Sequence, residues 1–174
     1  YSKSQPTKTV YITFDLIPAG KMSTYLYNLS VGENLEVAAP YGVFTLEENL
    51  NEVVFIAGGT GISPLMSMLE QAIGTNIKAS LIYSVKNPES MCFKTQLKDL
   101  KNQKKLDFSP TITRETKQEW TGNRGRIDKD FIKQSIKTGN EHFYICGPAK
   151  FVEISKQYLE ELGISKEKIH VERW

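Results

Sequence analysis

Gly58-Gly59-Thr60-Gly61 follows the wholly apolar run Val53–Ala57 and leads into Ser63, Pro64 and an apolar stretch with helical periodicity. A short apolar run bounded by glycines suits one buried strand. Ser63 and Pro64 have the residue types of a helix N-cap and first helical residue. Strand, glycine turn and helix start together make a place for a phosphate. The backbone can approach a ligand closely where there are no side chains, and a helix start offers N–H groups and partial positive charge. The spacing Gly-Gly-Thr-Gly-x-x-Pro is neither the Rossmann Gly-x-Gly-x-x-Gly nor a P-loop, which needs Gly-Lys-Ser/Thr. A tight turn without a ligand would use the same glycines, so on the turn alone the two readings stand level.

Three other groups of residues have chemical potential. Cys146-Gly147-Pro148 ends the apolar run HFYIC and opens a further helical pattern. A cysteine nucleophile needs a positioned base. The only histidines, His142 and His170, fall inside expected strands and read as structural, so contact with a bound cofactor is the better role for Cys146. Its plainer alternative is a small buried residue in a turn. Gly20-Lys21-Met22-Ser23 precedes a short helical pattern, with Ser23 expected as N-cap and Lys21 adding a cation. That arrangement would suit a second phosphate and equally an ordinary loop-capped helix. Glu172 and Trp174 close the chain after an apolar strand, where an aromatic could cover a core edge or lie against a flat ligand.

From about residue 50 the pattern alternates strand and helix. Strands are expected at Val53–Ala57, Ala79–Val85, Phe108–Thr113, His142–Cys146 and Lys168–Glu172, with helices at about 64–74, 91–105, 128–137 and 149–162. Asp128 suits an N-cap and Gly163 a helix end. Such alternation implies an α/β fold, a parallel sheet of about five strands with helices on both faces. Ligands of such sheets bind beyond the carboxyl ends of the strands, at the switch point in strand order. Gly58–Gly61, Ser84–Lys86, Arg114 and Cys146–Pro148 all directly follow expected strands and should line that one edge. The first 50 residues differ. Alternation in Thr9–Ile17 and short apolar runs at Leu35–Ala38 and Val43–Leu46, punctuated by glycines, suggest part of an antiparallel β-barrel. The expected domains are therefore 1–50 and 51–174.

Composition narrows the function classes. The 174 residues are 40% hydrophobic and 24% charged with net charge +2, ordinary for a water-soluble domain and too nearly neutral to argue for nucleic acid. Lys98, Lys101, Lys104 and Lys105 cluster beside Asp99 and Asp107, which reads first as a solvated helix face and second as a docking patch. The two cysteines have no metal-ligand spacing and form no disulfide framework, and no metal is expected. The sequence shows no signal peptide or membrane run, so the expectation is a cytoplasmic protein with no membrane partner. It starts at Tyr1 without an initiator methionine, which suggests a fragment or a processed product.

Taken in order, these segments resemble the ferredoxin–NADP⁺ reductase superfamily over nearly the whole chain, and look closest to its bacterial oxygenase-reductase and flavohemoprotein-reductase branches. Tyr1-Ser2 is similar to the last half of the family's Arg-x-Tyr-Ser flavin motif. Gly20-Lys21-Met22-Ser23 resembles its Gly-x-x-Ser segment, and Pro40-Tyr41-Gly42-Val43-Phe44 the Pro-x-Gly-x-Phe that closes the flavin barrel. Gly58–Pro64 resembles its pyridine-nucleotide pyrophosphate loop. Tyr83-Ser84, Trp120-x-Gly122-x-x-Gly125-Arg126, Cys146-Gly147-Pro148 and Val171-Glu172-Arg173-Trp174 fall where the family has equivalents.

The resemblance implies definite roles. Tyr1 would pack on the flavin ring, with Ser2 near its N5. Ser23 and the backbone at Lys21 and Met22 would bind the FAD pyrophosphate. Thr60 with Gly59 and Gly61 would hold the NAD(P)H pyrophosphate, and Ser84 and Lys86, with Arg114 nearby, would read the adenosine ribose. Cys146, Gly147, Pro148 and Glu172 would lie by the nicotinamide, and Trp174 by the flavin. Ser2, Cys146 and Glu172 are the candidate catalytic residues. The implied activity is an FAD-dependent NAD(P)H oxidoreductase that passes electrons to an iron–sulfur, haem or other acceptor. A flavin reductase that releases reduced flavin and a non-catalytic nucleotide-binding module are the alternatives. Lys86 leans towards the 2′-phosphate of NADPH, Glu89 away from it, and the branch resemblance slightly favours NADH. The sequence lacks the Arg before Tyr-Ser and the first strands of the family's barrel, and it has no Cys-rich iron–sulfur segment.

Overall fold

The computed structural model describes residues 12–38, 42–114 and 120–173. Its centre is a six-stranded sheet: β1 (Glu52–Gly58), β2 (Lys78–Val85), β3 (Asp107–Ile112), β4 (Asn123–Arg124), β5 (His142–Gly147) and β6 (Ile169–Arg173). The strand order is β4-β3-β2-β1-β5-β6, and every pairing is parallel. Five strands stand where the sequence pattern puts them. The sixth, β4, is two residues long, too short for any periodicity to reveal.

The helices are α1 (Lys21–Asn28), α2 (Ile62–Gly74), α3 (Lys94–Asn102), α4 (Lys129–Lys133) and α5 (Ala149–Glu161). Why these residues cover both faces is visible in β1, whose side chains alternate with period two. Val53, Phe55 and Ala57 join one apolar cluster with Ile62, Leu65 and Leu69 of α2 and Leu97 of α3. Val54 and Ile56 join the other, with Ile132 of α4 and Val152 and Leu159 of α5. With both sides packed, β1 is buried from Val53 to Gly58 and must be apolar throughout.

Several local details depart from the sequence pattern. Helix α3 ends at Asn102, so Lys104 lies beyond it in a left-handed turn (φ 57°). Lys101 donates to the carbonyl of Phe108 at 3.0 Å rather than only facing water. Asp128 does cap α4, its Oδ1 accepting from the Phe131 N–H at 2.8 Å. Gly163 follows α5 at φ 84°, the backbone that ends a helix at low steric cost.

The Trp120–Arg126 motif builds the outer edge of the sheet. The Trp120 indole donates to the Asn123 carbonyl at 2.9 Å, and Gly122 lies so close under the ring that a Cβ there would be 2.7 Å from it. The Gly125 N–H donates to the Ile112 carbonyl, and the Thr111 hydroxyl to the Gly125 carbonyl, both at 2.8 Å.

The described part of the first 50 residues contains one helix, α1, and no ladder. Residues 12–17, 35–38 and 42–46 carry the expected alternation without strand pairing among the described residues. Alternation provides an amphipathic face, but a strand also needs a neighbour for its N–H and C=O groups. Among the described residues, no helix is long and apolar enough to cross a membrane.

Candidate functional site

Strand order reverses between β1 and β5: β1 leads on to β2 on one side, while β5 leads to β6 on the other. The crevice at the carboxyl ends of these two strands is where a doubly wound sheet takes a ligand. Here the glycine turn leaves β1. Gly59–Gly61 form a single 3₁₀ turn that passes directly into α2. The helix begins at Ile62, with Gly61 in the capping position and no side chain capping it. Ser63 and Pro64 therefore occupy the second and third helical positions, not the N-cap and first. The continuous 3₁₀ turn displaces them, and proline is still tolerated in the first turn because no intrahelical N–H is lost. An α2 start to which no side chain gives a capping hydrogen bond is what an anion-binding helix end needs.

Two glycines here are required by geometry. Gly59 has φ 56°, and a Cβ built on it would meet nothing within 4 Å, so the space above the loop is open. A Cβ on Gly61 would lie 2.3 Å from the Cys146 carbonyl oxygen. The β1 and β5 loops are therefore in backbone contact. Phe151 of α5 packs beneath both, within 3 Å of where Cβ atoms on Gly58 or Gly147 would stand. No sequence signal marked Phe151, since an apolar residue in the first turn of a helix ordinarily reads as core.

Cys146 pairs in register with Ala57 on one side and Glu172 on the other. It is buried, and burial, reinforced by the Glu172 carboxylate, pushes its thiol up to about 12. The thiol is neutral throughout the physiological range, which excludes a thiolate nucleophile. Glu172 is exposed on β6 beside it.

Ser84 stands in register with Gly58 at the carboxyl end of β2. The Arg114 N–H donates to the Lys86 carbonyl at 2.9 Å, which sets two exposed cationic side chains on adjacent segments after β2 and β3. The structure thus brings Gly59, Thr60, Gly61, Ser84, Lys86, Arg114, Cys146, Gly147, Pro148 and Glu172 to the carboxyl edge of one sheet.

The flavin candidates are placed differently. Tyr1, Ser2 and Trp174 lie outside the described residues, as do Pro40 and Tyr41. Ser23 is not the N-cap of α1, a position held by Gly20. The Ser23 hydroxyl lies in the first turn, buried, accepting from the Ile17 N–H at 3.1 Å and facing the Gly20 carbonyl at 3.3 Å. It ties the preceding loop to the helix. Lys21 and Met22 are exposed at the α1 start, which no side chain caps.

The oxidoreductase NAD-binding domain family matches residues 55–157. The chain is 32% identical to cytochrome b5 reductase 4 of Xenopus tropicalis, over 97% of its own length and 34% of that protein's. It superimposes on the CS-b5R domains of human Ncb5or in the NAD⁺ form with a TM-score of 0.79 and 27% identity, covering 91% of this chain and 47% of that one. For the flavohemoglobin of Malassezia yamatoensis with bound FAD and heme, the TM-score is 0.78 and the identity 28%, over 92% of this chain and 42% of that one. The chain belongs to the oxidoreductase NAD-binding domain family, within the ferredoxin–NADP⁺ reductase superfamily. It spans about half or less of the length of these relatives.

Proposed function

We propose that this chain is the nucleotide-binding half, with the adjoining part of the flavin-binding half, of an FAD-dependent NAD(P)H oxidoreductase that feeds electrons to a protein acceptor. Residues 1–50 belong to the flavin barrel in this reading and 51–174 to the NAD(P) domain. The observation that carries it is the uncapped start of α2 behind an open glycine turn, locked against the Cys146–Pro148 loop at the switch point. The open space above Gly59 and the lone helix end fit a pyrophosphate, which needs close backbone approach and partial positive charge. Electron delivery to a haem protein or an oxygenase is supported by the relatives' names alone, among them cytochrome b5 reductase 4 and an anthranilate 1,2-dioxygenase electron transfer component.

Each residue then has a task. Gly59, Thr60, Gly61 and the α2 start hold the nucleotide pyrophosphate. Ser84, Lys86 and Arg114 read the adenosine ribose. Two neighbouring cations, with Glu89 on the following turn, make room for a 2′-phosphate without forbidding NADH. Cys146 and Glu172 border the nicotinamide, where a neutral thiol packs against a ring without adding charge. Gly147 keeps the β5 loop close to Gly58, and Pro148 turns it into α5. Lys21 and Met22 offer backbone N–H groups at α1 to the flavin pyrophosphate, while Ser23 holds that loop in place. Tyr1, Ser2 and Trp174 complete the flavin face in this reading. When bound, NAD(P)H supplies a hydride that FAD accepts and releases as single electrons. The protein's own contribution is to fix the two rings against each other and exclude water.

The test is an anaerobic visible spectrum of the protein with FAD, before and after NADH and, separately, NADPH. Bleaching of the flavin bands supports the reading. Nucleotide binding with no bleaching would sink the redox part and leave a binding module. Cys146→Ala is expected to slow bleaching in stopped flow more than it weakens nucleotide binding, and Glu172→Gln to do so less. An unchanged rate in both would remove their assigned roles.

A further inference from the structure

Far from the glycine turn, at the amino end of the same sheet, three metal-ligating side chains converge. His142 opens β5, His170 lies on β6, and Glu47 comes from the segment leading into β1. His142 Nδ1 is 3.2 Å from His170 Nε2 and 3.3 Å from Glu47 Oε2, and His170 Nε2 is 3.7 Å from Glu47 Oε1. A tetrahedral ion with bonds of 2.0–2.1 Å sets its ligand atoms about 3.3–3.5 Å apart. The His142–His170 and His142–Glu47 distances are close to that spacing, and the third, made by the other carboxylate oxygen, is slightly longer. Without an ion, an N–H···N hydrogen bond pairs the two imidazoles, one nitrogen donating and the other accepting, and leaves the Glu47 carboxylate outside it. An ion would engage both nitrogens and the carboxylate together.

The arrangement is held by the fold. His142 and Tyr144 are two residues apart on β5, and Tyr144 pairs in register with His170, so all three project from one face of the sheet. Tyr144 is fully buried and stacks on the His170 ring, with centroids 4.4 Å apart and planes inclined by 16°. Its hydroxyl accepts from the Glu47 N–H at 2.9 Å. One tyrosine thus orients both a histidine ligand and the backbone of the carboxylate ligand, the kind of support that outer-shell groups give metal sites. On its other side His142 lines a cleft formed with Asn49, Asn51, Glu52, Thr138 and Asn140.

We propose that Glu47, His142 and His170 bind one divalent ion of the zinc class. Two imidazoles and one carboxylate are a zinc donor set, and none of them is a soft thiolate that would favour copper(I). The ion clamps the residue 42–50 segment to the β5–β6 edge. The nucleotide end of β5 is five residues away, roughly 15 Å at strand rise, so the clamp fixes the seam and takes no part in hydride transfer. The proposal is independent of the reductase reading.

The test uses untagged, chelator-treated protein and zinc alone. Isothermal titration should give one equivalent bound, with a raised Tm, and cobalt(II) substitution should give the intense visible bands of a four-coordinate site. Glu47→Gln should weaken zinc at least about tenfold, and His142→Asn with His170→Asn should abolish the site. Circular dichroism checks that the variants are folded, and Glu47→Gln alone decides the matter if the double variant is not. No zinc binding, or binding that Glu47→Gln leaves unchanged, would overturn the proposal and leave a hydrogen-bonded histidine pair.

Discussion

Residues 12–50 are richer in apolar residues than residues 51–173, and the two regions differ in what they do with them. In the second region both faces of β1 are covered, and Phe55, Ile56, Tyr83 and Tyr144 have no exposed surface. In the first, Ile12, Phe14, Leu16, Ile17, Tyr25, Tyr27 and Val37 are all exposed, while Leu46 is buried in the core with the partly buried Phe44 and Leu50 packed against it. Large apolar side chains left exposed at this density suit an interaction face. Residues 51–173 carry their own core, whereas residues 12–50 leave large apolar side chains exposed. Stability should therefore reside in the sheet domain.

The sharpest way to break that contrast is a pair of matched truncations. Phe55→Ala should cost about 3–5 kcal/mol in urea denaturation, as a fully buried aromatic does. Phe14→Ala, 38% exposed, should cost less than about 1 kcal/mol. Equal losses would mean that the first region is packed as tightly as the second. Next in size, Gly59→Ala forces a Cβ into left-handed backbone, at about 1–2 kcal/mol. With open space at the site, no further clash follows, so nucleotide affinity measured by NADH fluorescence should fall more than stability does. An unaffected affinity would detach the turn from the ligand.

The smallest effect is a pH dependence inside the core. The folded Cys146 thiol titrates at about 12, while an unfolded thiol titrates near 8.5. The folded pKa is raised, so its contribution is intact below about 8.5 and is lost as pH rises above that. Wild-type stability should fall relative to Cys146→Ala by about 1 kcal/mol between roughly pH 8.5 and 9.5. Glu141 works in the opposite direction. Burial alone would raise its carboxyl, but the Thr138 and Lys137 N–H groups donating to Oε1 hold it below the usual range, so its contribution is lost in acid.

The sheet was legible in sequence because its strands are buried on both faces and read as continuous apolar runs. The glycine turn was legible because Gly59 and Gly61 have no substitute there. The capping residues were misread at both helix starts. Ser63 and Ser23 have capping side chains, but the 3₁₀ turn before α2 and the loop at Ile17–Gly20 put glycines in those positions instead. β4 is specified by hydrogen bonds around Gly125, not by any pattern. The Glu47–His142–His170 cluster was not legible, since the Glu47 backbone meets Tyr144 across 97 residues and each histidine alone is an ordinary strand residue.

The short β4 has one more consequence. It covers β3 only at Thr111 and Ile112. Along the rest of that border stands Pro110, which has no N–H to offer an incoming strand. A sheet ending in a two-residue strand and a proline is a poor template for a second chain. Edge-to-edge polymerisation, a standing hazard for an open sheet, is discouraged on this side by backbone chemistry alone.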